Sequence, residues 1–185
     1  MTIERTRLSK EDRRDQILSS ALNVFVERGY NGATTAEIAK EANISEVTLF
    51  RHFESKKEIF TSSIEPIVLT TLKESITASK ELSKMEQLEF ILTERIKLVS
   101  KNRKVILLLL MESQINTELG EMNYINKIST LLEDTLSELG IKVRDDKLTM
   151  RLLMGGILSF LYLPEDNEET IREYVKKVMN LIHSK

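Results

Sequence analysis

There is no cysteine in this chain of 185 residues, which excludes disulfide bridges and thiolate metal sites together. Tryptophan is absent too, and there are only two prolines and six glycines. So few chain breakers leave room for long helices, and no segment alternates with period two and β-branched enrichment in the manner of a strand. Two histidines, His52 and His183, lie too far apart in the sequence to build a histidine-rich metal site by themselves. Long apolar runs are also missing. The longest, Val105–Met111, has seven residues, against the roughly 20 that a membrane span needs, so it reads as a helix buried in a core. The start of the chain, MTIERTRLSKEDRR, lacks the apolar stretch of a secretory signal. Neither sign of charge dominates: 27 Lys and Arg face 29 Asp and Glu, for a net charge of -2. That argues against a nucleic-acid binder held by bulk charge, and leaves room for a local basic patch. The expectation is a soluble, cytoplasmic protein with no metal, cofactor or membrane partner.

What is there is helix. Ser9 caps a first helix, with Asp12 three residues on as its capping-box partner. Ile17, Leu18, Ala21, Leu22, Val24 and Phe25 recur at spacings of three and four, and Gly29 stops the helix where a positive φ is needed. Thr34 or Thr35 caps a short second helix with Ile38, Ala39 and Ala42 inward. Asn43 ends it, and Ser45 caps a third. Ser55 then opens a run of longer helices, at about 56–80, 84–100, 102–116, 121–139, 145–162 and 167–183. Pro66 predicts a kink near Glu65, and Asp166 or Asn167 caps the last helix. The texture changes after about 55 residues, from short helices to long amphipathic ones.

Two short helices joined by a tight turn, behind a longer supporting helix, match a helix-turn-helix. On a helical wheel at about 100° per residue, Leu49 and Phe53 of the third helix share one face, and Val47, Thr48 and Arg51 the opposite one. Phe50 and His52 lie on the flanks. An outward Val beside Thr and Arg suits a DNA major groove, where Arg bonds guanine bidentately and Val or the Thr methyl meets a thymine methyl. Glu46 has two readings: a carboxylate that stabilises the first turn, or an acceptor for cytosine N4. Lys56 has two as well, a phosphate clamp with the adjoining helix N-terminus or a solvated helix start. Residues 1–60 carry ten Lys/Arg and ten Asp/Glu. Arg5, Arg7, Lys10, Arg13 and Arg14 cluster at the front, either as an arm toward DNA or as a solvated tail.

The segment from Thr34 to Phe60, TTAEIAKEANISEVTLFRHFESKKEIF, resembles the DNA-binding domain of TetR-family transcriptional regulators, and ALNVFVERGYNGATT before it is similar to the end of that family's first helix. The likeness covers about residues 9–60. It implies phosphate contacts for Thr35, Ser45 and Thr48, backbone-facing positions for Phe50 and His52, and a DNA contact for Lys56. Asn43 stands where the family has Gly, Val47 where it has a small residue and Phe50 where it has Tyr. The resulting site is Thr35, Ser45, Glu46, Val47, Thr48, Phe50, Arg51, His52 and Lys56.

The expected class is therefore all-α with about nine helices. A three-helix helix-turn-helix domain over residues 1–54 precedes a larger effector-binding and dimerisation domain over 55–185. A single helix-turn-helix makes few base contacts, and two-fold dimers on a palindrome are the usual remedy. The resemblance implies that the last two helices pair with their copies. The expected interface is Leu148, Leu152, Gly155, Gly156, Ser159, Tyr174, Val178 and Ile182, where small residues admit a close neighbour. Candidates for lining an effector pocket are Phe90, Met111, Gln114, Tyr124, Met154 and Phe160, with Arg95, Leu109 and Met150 beside them. With few charges among them, the effector is expected to be apolar or amphipathic. Acidic pairs such as Asp145-Asp146 and Glu168-Glu169 read as caps, and no nucleophile–base arrangement or phosphate loop marks an enzyme. The reading is a ligand-responsive repressor, a homodimer on a double-stranded operator. The alternative is a helical interaction module that has lost specific DNA binding.

Overall fold

A computed structural model describes residues 9–115, 119, 123–140 and 146–183, and side chains at all of these except 146, 147, 182 and 183. Every regular element among the described residues is helical, and the chain divides into two compact units, Met1–Glu65 and Pro66–Lys185. No helix among the described residues is long and apolar enough to cross a membrane.

The first unit holds α1 (Lys10–Gly32), α2 (Thr35–Glu41), α3 (Glu46–Leu49) and α4 (Lys56–Glu65). α1 begins in a capping box in which Ser9 Oγ accepts from the Asp12 amide at 3.0 Å and Asp12 Oδ2 accepts from the Ser9 amide at 3.3 Å. Its helical geometry breaks at Gly29, at φ 72° and ψ 171°, a conformation that a side chain would strain. Beyond the break Tyr30 turns inward. Its ring meets Phe60 of α4 at 5.1 Å between centroids, and Phe25 meets Phe60 edge-on at 5.0 Å. All three are buried, and edge-to-face pairs of this kind add about 0.5–1.5 kcal/mol each beyond their buried area. This trio places α4 in the first unit, whereas the expected boundary at 54/55 lay ahead of it.

Thr34 caps α2 and shares a capping box with Glu37; hydrogen bonds from the Thr34 amide and hydroxyl hold the Glu37 carboxyl below the ordinary glutamate range. α2 ends at Asn43, φ 53°. The Ile44 amide donates to the Ala39 carbonyl and the Asn43 amide to the Lys40 carbonyl, each at 3.0 Å, which is the paired bonding of a Schellman turn. Asparagine does here what glycine does in the related pattern.

In the second unit the chain stays helical through Pro66–Thr70 but with the wider π pattern, then continues as α5 (Thr71–Ala78). The expected kink at Pro66 is thus a π insertion, which replaces a hydrogen-bonding register that a proline cannot complete. It divides the expected 56–80 helix, and the described residues hold ten α-helices, in keeping with the expected all-α class of about nine. α6 (Lys84–Lys101), α7 (Arg103–Ile115), α8 (Tyr124–Glu138), α9 (Asp146–Ser159) and α10 (Glu168–His183) follow. α6 is the hub, packing on α5, α7, α9 and α10. Leu88, Ile91, Leu92, Ile96 and Val99 enter the core along its length. Asn167 caps α10, its Oδ1 accepting from the Glu169 and Thr170 amides at 2.9 and 3.1 Å.

α9 and α10 meet at Gly156. A methyl group built there would stand 2.6 Å from the Tyr174 hydroxyl oxygen but 3.6 Å from the ring carbon bearing it. Gly156→Ala is expected to gain about 1 kcal/mol of helix propensity and to lose about 1–3 kcal/mol to overpacking. Once Tyr174→Phe removes the oxygen, the same change becomes stabilising. Urea titration of the four proteins in this cycle checks it. Equal effects of Gly156→Ala in both backgrounds would rule the contact out.

Candidate nucleic-acid interface and effector cavity

α3 is a single turn of helix, and its two faces separate sharply. Leu49 is fully buried and Phe53 nearly so, while Val47 is 67% exposed and Phe50 48% exposed. Arg51 is exposed and Thr48 half-buried, so the outward triad has the geometry its spacing predicts. Ser45 caps the helix: its Oγ accepts from the Thr48 amide at 3.2 Å and lies 2.9 Å from the Thr48 hydroxyl. Among the described residues Arg51 makes no side-chain hydrogen bond or ion pair and extends from the surface unengaged.

Glu46 accepts a short hydrogen bond from the Thr35 hydroxyl at the start of α2. It thereby ties the two helices of the motif together, a third role beside the two read from the sequence. The same bond occupies the Thr35 hydroxyl, which the family likeness assigns to phosphate.

Lys56 is drawn inward. Its Nζ donates to the Tyr30 and Ala33 carbonyls at 2.8 and 3.1 Å and lies 4.5 Å from the centre of the Tyr30 ring. It is neither a solvated start nor a free clamp. Instead it satisfies the carbonyls that the break at Gly29 leaves open, and fastens the α1–α2 turn to α4. Arg14, grouped with the basic front, is also engaged within the protein. It donates to the His52 carbonyl at 2.6 Å, pairs with Glu58 at 3.2 Å and stacks 4.1 Å from the Phe53 ring centre. Arg5 and Arg7 lie outside the described residues. His52 is half-buried, and its Nδ1 has no hydrogen-bond partner among the described residues. Burial, then the charges of Lys10, Arg14 and Arg13, lower its pKa from the ordinary histidine value.

The second unit encloses an apolar cavity of about 70 Å³ between the π segment, α6, α7, α8 and α9. Tyr124 and Met154 line it, as expected, and so do Arg95 and Leu109. The other candidates do not. Met111 is 60% exposed and Gln114 is exposed near the end of α7. Phe160 packs edge-on against Tyr174 at 5.1 Å, inside the core that also buries Met150. Phe90 lines a separate open groove, shared with Arg95. Periodicity found the buried stripes, but whether a buried residue meets a void or a neighbour depends on partners remote in sequence. Val68, Ile128 and Ile157 were missed for that reason.

Arg95 is the exception in this lining. It is only 6% exposed, and desolvation lowers its pKa to about 10 despite the opposing pull of Glu94 and Glu74. Nη1 donates to Thr71 Oγ1 at 3.0 Å and Nη2 to Ser75 Oγ at 3.4 Å, while Nε has no partner among the described residues. Its signal in the sequence is a lone charge within the apolar stripe of α6.

The expected pairing residues fall into two sets. Leu148, Leu152, Gly155 and Ser159 form an exposed stripe on α9. Gly156, Tyr174 and Val178 face inward, where Gly156 makes room for Tyr174 and Val178 is part of the core. The side chain of Ile182 lies outside the described residues.

A capped helix-turn-helix with one buried and one exposed face thus precedes, along the chain, a helical unit with an internal cavity. Residues 17–62 match the family described as bacterial regulatory proteins, tetR family. The chain is 42% identical over 52 residues to the biofilm operon icaADBC HTH-type negative transcriptional regulator IcaR of Staphylococcus aureus, 28% of each chain. It is 42% identical over 59 residues to the HTH-type transcriptional activator FasR of Mycolicibacterium smegmatis, 32% of this chain and 27% of that one. These matches therefore span under a third of either relative. The fold extends further: the transcriptional regulator FadR from Bacillus subtilis in complex with stearoyl-CoA superimposes with a TM-score of 0.70 at 22% identity, over 92% of this chain and 97% of that one. The likeness to the tetR family is carried by residues 17–62, and the chain as a whole shares its fold with that solved regulator.

Charge-assisted hydrogen bonds of the kind Lys56 makes contribute about 1.5–3 kcal/mol, and Lys56→Met is expected to destabilise the chain by about that much. Arg51→Ala should leave stability unchanged. Chemical denaturation of both variants checks the assignment, and a Lys56→Met protein as stable as the parent would return Lys56 to the surface.

Proposed function

We propose that this chain is a ligand-responsive transcriptional repressor. It binds a palindromic duplex operator as a homodimer and releases it when a small apolar or amphipathic molecule enters the second unit. One observation carries the DNA-binding part: the face bearing Val47, Thr48 and Arg51 is exposed on a helix whose other face is wholly buried. An exposed valine beside a disengaged arginine is poorly matched to water and well matched to base edges in the major groove. Thr48 and Ser45 supply hydroxyls for the phosphates. Glu46 stands at the same edge, where it can exchange Thr35 for a cytosine amino group.

The exposed stripe on α9 supports the dimer. A Cβ at Gly155 would meet nothing within 4 Å among the described residues of the single chain, so a mid-helix glycine there costs about 1 kcal/mol against alanine with no return from those residues. A partner helix packed closely against it would account for its presence. The cavity supports the ligand response. At about 70 Å³ it is under half of the roughly 150 Å³ that holds benzene in an engineered protein core. A larger ligand therefore enters by spreading α6, α7, α8 and α9. IcaR's name as a negative regulator supports repression, and the FadR complex with stearoyl-CoA supports a ligand of apolar character.

A randomised-duplex selection is expected to recover a two-fold symmetric site. Arg51→Ala should weaken binding to it by about 1–3 kcal/mol and relax one base position. If no duplex is enriched, the chain is an interaction module that has lost DNA binding. Sedimentation at micromolar concentration should find a dimer for the parent and a folded monomer for Gly155→Trp. A monomeric parent would sink the dimer.

A further inference from the structure

We infer that the molecule taken up by the second unit is an apolar chain bearing an anionic group, and that Arg95 receives the anion. The inference rests on the reading of this cavity as the effector site. Arg95 is more than nine-tenths buried at the wall of a cavity whose remaining lining is almost entirely hydrocarbon. Its two hydrogen-bonded nitrogens reach neutral acceptors only. Those acceptors are already committed as donors, because Thr71 Oγ1 gives its proton to the Ile67 carbonyl at 2.6 Å and Ser75 Oγ gives its own to the Thr71 carbonyl at 2.8 Å. Nε is buried without a hydrogen-bond partner among the described residues.

Buried guanidinium groups are ordinarily matched by a carboxylate. None of the ion pairs among the described residues involves Arg95. The nearby Glu94 is instead paired to Lys97, which also holds Glu168 at 2.6 Å. A planar fork with donors to spare, near Glu74 and Glu94 but in direct contact with neither among the described residues, is the arrangement that a carboxylate or phosphate completes.

Arg95 also lines the open polar groove formed by Thr71, Ser75, Glu74, Glu94, Lys97 and neighbouring residues. It therefore borders an enclosed apolar space on one side and an open groove lined largely by polar residues on the other. An amphiphile laid across this boundary would bury its chain in the first and set its head on Arg95 at the edge of the second. The acids Glu74 and Glu94 share that groove with Lys97 and Lys101, so its rim is balanced in charge and discrimination falls to Arg95.

The test is calorimetric titration of the full chain with four ten-carbon probes below their micellar concentrations: decanoate, decyl phosphate, decanol and decyltrimethylammonium. At least one anion should bind the parent protein about tenfold or more tighter than decanol, a preference that shrinks below about threefold in Arg95→Gln and is largely kept in Arg95→Lys. Whether decanoate or decyl phosphate leads identifies the head as carboxylate or phosphate. Decanol binding as tightly as both anions, or an unchanged preference in Arg95→Gln, overturns the inference. If Arg95→Gln does not fold by circular dichroism, the head-group comparison on the parent protein decides alone. Binding of none of the four overturns the cavity reading along with the inference. Anion binding with the expected preference but unaltered operator affinity upholds the inference and defeats the proposed ligand release.

Discussion

A helix of four residues cannot hold itself together. Nucleating a helical turn is unfavourable, and isolated helices shorter than about 12 residues are marginal in water. α3, Glu46–Leu49, is that short, so its conformation is imposed by the rest of the first unit. The Schellman turn at Asn43 delivers the chain in the right direction, and Ser45 satisfies the amide of Thr48. Leu49 and Phe53 then fix its axis by burial, and Arg14 holds the far end through the His52 carbonyl and the Phe53 ring. Every restraint acts on the inner face or the ends, and the outer face stays free for a partner.

The same constraint explains how the unit uses its charge. The first 60 residues are electrically neutral in sum, yet the surface is not what a count suggests. Lys56 and Arg14 are committed to carbonyls and rings within the protein, and Glu46 to a threonine. What is left facing outward from α3 is one arginine among apolar and hydroxyl groups. On the proposed reading, such a surface would gain little from long-range attraction and rely on close fit, where desolvated contacts discriminate between bases.

Much of this was legible in the sequence because it is local. Caps, the break at Gly29 and the inward pairing of Leu49 with Phe53 all depend on residues within a few positions of one another. So does the left-handed turn at Asn43. The roles of Lys56 and Arg14 were not legible, since carbonyls at Tyr30 and Ala33 or at His52 carry no side-chain signature. In the second unit periodicity marked the stripes of α9 and α10, but Gly155 and Gly156 are adjacent letters with opposite surroundings. Only the position of Tyr174 separates them. Pocket residues were the least legible, because a void is defined by what remote segments fail to fill.

Gly155 also bears on how such a chain changes over time. In a protein that worked alone, a glycine on an open helix face would be a small fault, and a single base change to alanine repairs it. Selection acting on one protomer would favour that repair. On the proposed reading of α9 as a pairing face, this glycine is a trait whose benefit no individual chain enjoys. It would be advantageous only to the pair, and the residue at this position would then answer to encounters between copies rather than to the folding of any one of them.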